Sequence, residues 1–158
     1  MSPDAMLAGF MQHLRVERGL SPCTWTSYGY QIRGYMRFLA GRGLIPVTAT
    51  REDVLAYLEA RRDARLASSS LFAAAITIRQ FHRFLADSRI REDNPVELLE
   101  SPRLPRKIPR AASYDTVDGV LAIIDENEPT GLGYRDRTMF ELIYSCGLRV
   151  SEACSLEV

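Results

Sequence analysis

The sequence predicts an all-α protein in which four main helices form a bundle, followed by an extended linker and further helices. Apolar residues recur at spacings of three and four in several separate stretches, and runs that alternate apolar and polar residues are almost absent. Most of these stretches are bounded by a capping residue, a glycine or a proline. The 158 residues, 46% of them apolar, suffice for one ordinary domain or for a small domain and part of another.

The first two helices have clear terminal signals. One apolar stripe predicts a helix from about Pro3 to Arg18, which Gly19 ends. Ser21 then supplies an N-cap, and Pro22 at the first helical position favours a second helix that ends before Gly41. The stripes expected to face the core are Leu7, Phe10, Met11 and Leu14, and Tyr28, Ile32, Tyr35, Met36 and Leu39.

The third and fourth helices follow the same logic. Thr50 and Asp53 predict an N-cap for the third helix, and Ser68–Ser70 predicts one for the fourth. His82 lies near the apolar stripe of the fourth helix, so we expect a core histidine. The expected inward residues are Val54, Leu55 and Leu58, and Leu71, Ala74, Ile78, Phe81 and Leu85. Helix-dipole compensation accounts for the cations that end the third helix, namely Arg61, Arg62 and Arg65.

The second helix also has a basic face opposite its apolar stripe. At 100° per residue, this face collects Thr26, Tyr30, Arg33 and Arg37. Arginines and hydroxyls spaced along one helix face can reach phosphates or base edges of a DNA duplex. A solvated surface face explains the same pattern, and the residues alone leave both interpretations open.

A proline-rich basic segment divides the chain. Residues 101–110 contain three prolines and four cations, which disfavours a helix and suits an extended chain along a phosphate backbone or a plain linker. We predict a helical domain at 1–100, a linker at 101–112 and a second region at 113–158. Residues 1–110 hold 17 Lys and Arg against 11 Asp and Glu, while residues 111–158 hold 3 against 9, so the first part has the cationic surplus that suits a polyanionic partner.

The second region places one arginine between two helices. Ser113 caps a predicted helix whose apolar residues are Val117, Val120, Leu121 and Ile124. A later apolar helix, Met139 to Tyr144, stops at Gly147, and a short helix begins near Ser151. We expect the ends of these two buried helices to fix Arg149, whose planar guanidinium suits a phosphate or carboxylate. An ordinary helix-capping arginine is the alternative.

Other chemistry has little support in the sequence. Nucleotide-binding, metalloprotease and nucleophile-elbow motifs are absent, so we predict no cofactor and no metal. Cys23, Cys146 and Cys154 have no paired spacing, which predicts reduced, structural cysteines rather than a disulfide or zinc site. The absence of a long apolar run or signal sequence predicts a cytoplasmic protein without membrane contact.

The sequence resembles the tyrosine-type site-specific DNA recombinases, with Xer-type recombinases and phage integrases as the nearest likeness. The resemblance rests on Gly147–Glu152, preceded by Tyr144 and followed by Leu156, which is similar to the box that carries the family's first catalytic arginine. It continues upstream through Arg135–Arg137 and the linker at 101–110 and covers essentially the whole chain. It implies a four-helix, SAM-like core-binding bundle.

The resemblance also implies functional residues and partners. Arg149 corresponds to the first catalytic arginine, and Glu152 to an acidic neighbour with an orienting or structural role. In the family, the second and fourth helices straddle duplex DNA. The resemblance also implies that other recombinase protomers bind the same DNA site and that the reaction requires no metal. The resemblance makes Arg33, Arg37, Gln80 and Arg83 candidate DNA contacts. The basic face of the second helix, the outer side of the fourth and the linker cations complete the set of candidates: Thr26, Tyr30, Arg79, Arg106, Lys107 and Arg110. One departure is Ala73 and Ala74, where relatives usually carry a basic pair.

The family's reaction is transesterification, in which a tyrosine hydroxyl attacks a DNA phosphodiester and forms a 3′-phosphotyrosine link. The family's lysine, its histidine-x-x-arginine box and its nucleophilic tyrosine lie beyond Val158. We therefore expect a truncated catalytic region that is inactive alone. A stand-alone DNA-binding or regulatory remnant and a helical protein-interaction module remain as alternatives.

Overall fold

A computed structural model describes residues 1–97, 99 and 111–156. Within these residues the structure is all-α, with seven helices and no strand. The helices are α1 (Pro3–Val16), α2 (Pro22–Gly41), α3 (Arg51–Asp63), α4 (Ser68–Asp87), α5 (Tyr114–Ala122), α6 (Leu132–Cys146) and α7 (Val150–Ala153). The chain divides into two compact units, Met1–Arg106 and Lys107–Val158, called here the first and second units. The predicted linker at 101–112 falls almost entirely outside the described residues, so its structure stays a prediction.

Helices α1 to α4 form the bundle of the first unit, which confirms the predicted fold class. Helix α2 packs against α1 and α4, and α3 packs against α4. The rings of Phe10 and Phe81 meet edge to face at 5.2 Å, which joins α1 to α4 at the centre of the core. The largest fully buried side chains are Met6, Phe10, Ile32, Tyr35, Leu39, Val54, Ile78, Phe81, His82, Leu85 and Val96.

Local capping fixes where two of these helices begin. The Ser21 hydroxyl accepts from the Thr24 amide at 3.4 Å ahead of Pro22, as predicted for α2. At α3, the Thr50 hydroxyl and the Asp53 carboxylate exchange hydrogen bonds with each other's backbone amides, which forms the predicted capping box. Helix α4 differs from the prediction, since Ala67 occupies the N-cap position and no side chain caps the helix.

Helix α3 differs from the sequence prediction in the residue it buries. The sequence predicts Leu55 in the core, but Leu55 is 38% exposed, whereas Tyr57 is only 3% exposed. The buried face of α3 runs through Asp53, Val54 and Tyr57, and Leu55 lies beside it rather than on it.

His82 is a core residue, as predicted, with its Nε2 atom 3.0 Å from the Tyr35 hydroxyl. Its Nδ1 atom has no partner among the described residues, so the ring is only half satisfied. The cysteines differ from the prediction. Cys23, Cys146 and Cys154 are free, as expected, but all three are exposed, so they do not pack in a core.

The second unit contains α5, α6 and α7. The predicted Ser113 cap is present, since its hydroxyl accepts from the Thr116 amide at 3.3 Å. Helix α6 is longer than the predicted Met139–Tyr144 segment, and Gly147 ends it with φ of 65°, a left-handed conformation that glycine adopts without strain. Among the described residues of this unit, only Gly133 and Ala153 are buried, so its apolar stripes are only partly covered within the unit.

No helix in the described part of the chain is both long and apolar enough to cross a membrane.

Candidate nucleic-acid interface

The basic face of α2 is presented to solvent as the helical periodicity predicts. Burial of Ile32, Tyr35 and Leu39 against α1, α3 and α4 fixes the rotation of the helix. The opposite side chains are therefore directed outward, and all four members of the predicted face are exposed: Thr26, Tyr30, Arg33 and Arg37.

Arg33 and Arg37 have no acidic partner within the described residues. The nearest polar contact that either guanidinium makes is long, from Arg37 Nε to the Arg33 carbonyl at 3.5 Å. Both line a groove of about 440 Å³ between α1 and α2, whose rim also includes Tyr30 and Asp4. Two unpaired guanidiniums beside an exposed aromatic ring suit phosphate contacts, and Asp4 is the carboxylate that opposes them.

The predicted contacts on α4 lie in a more mixed electrostatic environment. Arg83 is exposed but pairs with Asp87 at 3.6 Å, while Arg79 and Gln80 are half-buried. Carboxylates line the same cleft as Arg79 and Arg83, namely Asp87, Glu92, Asp93 and Glu97. These charges oppose a polyanion, so the structure makes α4 a weaker electrostatic contributor than α2.

The remaining predicted DNA contacts, Arg106, Lys107 and Arg110, lie outside the described residues.

Arg149 lies at the N-cap of α7, between the two helix ends that the sequence indicates. The expectation that buried helices hold it is wrong for the described residues, because its side chain is 81% exposed. Glu152 fixes it instead: one carboxylate oxygen accepts from the Arg149 amide and the other from its Nη1 atom, both at 2.8 Å. These two hydrogen bonds, the backbone one first, lower the pKa of Glu152 and keep it ionised.

Sequence reasoning misses the electrostatic roles of two residues beside the α2 face. The pattern of α1 gives no signal for Asp4, and Arg61 is explained from sequence by the α3 dipole alone. In the structure Arg61 lies over the ring of Tyr57, with its guanidinium carbon 5.8 Å from the ring centroid. The spacing of four between Tyr57 and Arg61 is a sequence pattern that places a cation over an aromatic ring on a helix.

The first unit is a four-helix bundle with an exposed cationic face on α2. Residues 7–89 match the family model described as "Phage integrase, N-terminal SAM-like domain". The chain belongs to this family.

Full-length relatives are named tyrosine recombinases. The chain is 37% identical to tyrosine recombinase XerD of Xanthomonas campestris, over 97% of this chain and 47% of the relative. It is 37% identical to XerC of Roseiflexus castenholzii, over 98% of this chain and 49% of the relative. It is 32% identical to XerD of Proteus mirabilis, over 98% of this chain and 49% of the relative. The chain thus spans about half the length of the curated relatives it matches.

Proposed function

We propose that this chain is the DNA-binding portion of a tyrosine recombinase, which cuts and rejoins DNA at specific sites through a 3′-phosphotyrosine intermediate. The observation that carries the proposal is the α2 face, where Arg33 and Arg37 are exposed and unpaired among the described residues of a chain from the phage integrase family. The first unit binds duplex DNA, and the second contributes one catalytic arginine.

Different residues of the first unit suit different parts of the DNA. Arg33 and Arg37 lie one helical turn apart, so their guanidiniums can each neutralise a backbone phosphate. Thr26 and Tyr30, on the same face, can reach sugars or base edges once the phosphates set the register. Helix α4 adds less charge because Arg83 is paired with Asp87, and the basic residues at 101–112 extend the contact along the backbone.

Arg149 supplies oxyanion stabilisation in the proposed reaction. Its guanidinium would bind non-bridging oxygens of the scissile phosphate as negative charge develops. Glu152 holds the Arg149 backbone and one terminal nitrogen, so it acts as a positioning residue rather than a general base. The attack itself requires a tyrosine nucleophile, a lysine and a histidine–arginine pair, and other protomers complete the reaction on DNA.

A salt titration tests the DNA-binding proposal. Duplex affinity of the 158-residue chain is measured by fluorescence anisotropy from low to physiological salt, together with that of Arg33→Ala/Arg37→Ala. We expect the double variant to bind more weakly and its log–log salt slope to fall by about one unit for each phosphate that it no longer neutralises.

Arg89→Ala is the matched control, because Arg89 is also exposed and unpaired among the described residues but lies beyond α4. If the double variant has the same duplex affinity and salt slope as this control, the α2 face is only a solvated surface. No duplex binding by the wild type would favour the protein-interaction module instead.

A further inference from the structure

The contact between α2 and α3 contains a tyrosine whose ring and hydroxyl have different environments. The Tyr57 ring packs between Tyr35 and Phe38, with both centroids at 5.3 Å. Its hydroxyl oxygen lies 3.1 Å from the place where a Cβ of Gly34 would stand. Gly34 is half-buried on α2, one turn after Tyr30 and just before Arg37. Because Gly34 has no side chain, the Tyr57 hydroxyl can lie next to the α2 backbone, close to the basic face of that helix.

The Tyr57 hydroxyl makes no hydrogen bond in the described part of the chain, although the residue is 3% exposed. Buried hydroxyls in folded proteins nearly always have a partner, so this hydroxyl can accept one from outside the chain. The Nε atom of Arg61, one turn further along α3, is also buried without a partner. The two unpartnered groups belong to side chains in contact, since the guanidinium carbon of Arg61 lies 5.8 Å from the centroid of the Tyr57 ring.

The charges around this hydroxyl decide what the missing partner is. Arg61 lies over the Tyr57 ring, and Arg37 is one helical turn from Gly34, which the hydroxyl approaches. Burial raises the pKa of Tyr57, and the positive charges of Arg61 and then Arg37 oppose that rise. Neither arginine has an acidic partner among the described residues. Guanidinium groups can only donate hydrogen bonds, and the hydroxyl has its own proton to donate. An anionic oxygen acceptor such as a phosphate satisfies all three groups.

Compensation of the α3 dipole does not account for these features. Arg61 and Arg62 are both in the last turn, where either cation stabilises the helix end. Only Arg61 stacks on Tyr57 and has a buried, unpartnered Nε, whereas Arg62 is exposed to solvent. The difference between the two neighbours points to a specific use of Arg61.

We propose that Arg37, Arg61 and the Tyr57 hydroxyl form a binding site for one backbone phosphate of duplex DNA. This site extends the basic face of α2 onto α3, and it rests on the proposed function. The hydroxyl is closed to solvent in the free protein, so the proposed binding includes a side-chain movement that uncovers it. The exposed Arg37 side chain leaves its long contact with the Arg33 carbonyl, and a phosphate oxygen then reaches the hydroxyl beside Gly34. The contact is independent of base sequence and fixes the position of the bundle along the duplex.

Tyr57→Phe gives the sharpest test, because the site predicts opposite effects on affinity and stability. Removal of a hydroxyl that has no partner in the free protein should leave the urea midpoint unchanged or raise it, as followed by the fluorescence of Trp25. The same change should weaken binding of the 158-residue chain to a labelled duplex by about tenfold, because a charge-assisted hydrogen bond is removed.

Arg61→Ala and Arg62→Ala form a matched pair in the same anisotropy assay. Arg61→Ala should lower the log–log salt slope by about one unit, and Arg62→Ala should leave it unchanged. If Tyr57→Phe binds like wild type, or if the two arginine variants behave alike, the site on α3 is wrong. If the α3 site is wrong but Arg33→Ala/Arg37→Ala still binds more weakly than wild type, the proposed DNA-binding function remains supported. If the wild-type chain does not bind duplex DNA, the α3 site and the proposed function are both wrong.

Discussion

Protonation of a single buried histidine should control how the first unit responds to mild acid. His82 is fully buried, and burial first, then the positive charge of Arg91, lowers its pKa from 6.5 to about 3, with the Asp93 carboxylate opposing the shift. The folded state therefore keeps the imidazole neutral at pH 5, while the unfolded chain takes up a proton. Since the folded pKa lies below the unfolded one, the stability contribution is complete above pH 6.5 and disappears as the pH falls toward 3.

The size of the effect follows from the two pKa values. Between pH 7.5 and pH 5, proton uptake by the unfolded chain should lower the free energy of unfolding by about 2 kcal/mol. Carboxylates contribute little in this window because their ordinary pKa values lie near 4. The Tyr35–His82 hydrogen bond adds a separate effect, since Tyr35→Phe leaves the imidazole without a partner and should cost about 1–3 kcal/mol at pH 7.5.

Urea unfolding followed by Trp25 fluorescence measures both effects, because Trp25 is the only tryptophan and packs against the core of the first unit. The double variant Tyr35→Phe/His82→Leu removes both polar partners and should abolish most of the pH dependence. The control His13→Gln changes the other histidine, which is half-exposed and pairs with Glu17, and should keep it. If the double variant loses as much stability as wild type between pH 7.5 and pH 5, His82 is not the source of the pH dependence.

The remaining predictions concern charges at three places. Asp4→Asn should raise duplex affinity a fewfold in anisotropy, since it removes the carboxylate from the groove of Arg33 and Arg37, and a drop in affinity would contradict this. Arg91→Ala should lower the free energy of unfolding by about 3 kcal/mol in urea, because its Nη1 donates to the Pro46 and Ala49 carbonyls at 3.1 and 2.6 Å; a change below about 1 kcal/mol would refute this. The 158-residue chain should form no covalent adduct with a nicked duplex on a denaturing gel. In a full-length recombinase, the change that corresponds to Arg149→Lys should slow cleavage about a hundredfold or more while leaving binding nearly intact.

The helices of the first unit could be predicted because their signals are local. The caps at Ser21 and Thr50 and the stripes of α1, α2 and α4 each depend on residues within one or two turns. Tyr57 could not be placed in this way, because its burial depends on another helix: its ring packs against Tyr35 and Phe38 of α2, and its hydroxyl lies in the space beside Gly34. The sequence shows the period of a helix, but tertiary contacts decide which edge of the stripe is covered.

For the candidate site, too, local sequence predicts some features, whereas others depend on tertiary contacts. The exposure of Arg33 and Arg37 follows from the period of α2, so the face was predictable. The difference between these arginines and Arg83 was not, because Arg83 pairs with Asp87 and shares a cleft with acidic residues that follow α4. Sequence spacing identifies the arginines that are exposed on a helix face. Neighbouring carboxylates in the folded structure decide which of these arginines remain unpaired and can bind phosphate.

The hydrogen-bond environments of Arg91 and Arg149 differ sharply. Arg91 is a structural group: its side chain is nearly buried, and it donates to two carbonyls and to Asp93. Arg149 is the opposite case, since Glu152 accepts from its amide and from Nη1 only, and its Nε and Nη2 atoms have no partner among the described residues. An arginine has five N–H donors, so a phosphate can bind the free edge of the guanidinium while the carboxylate still holds the backbone. The ion pair therefore orients Arg149 and leaves donors free, which suits the transition-state role that we propose for it.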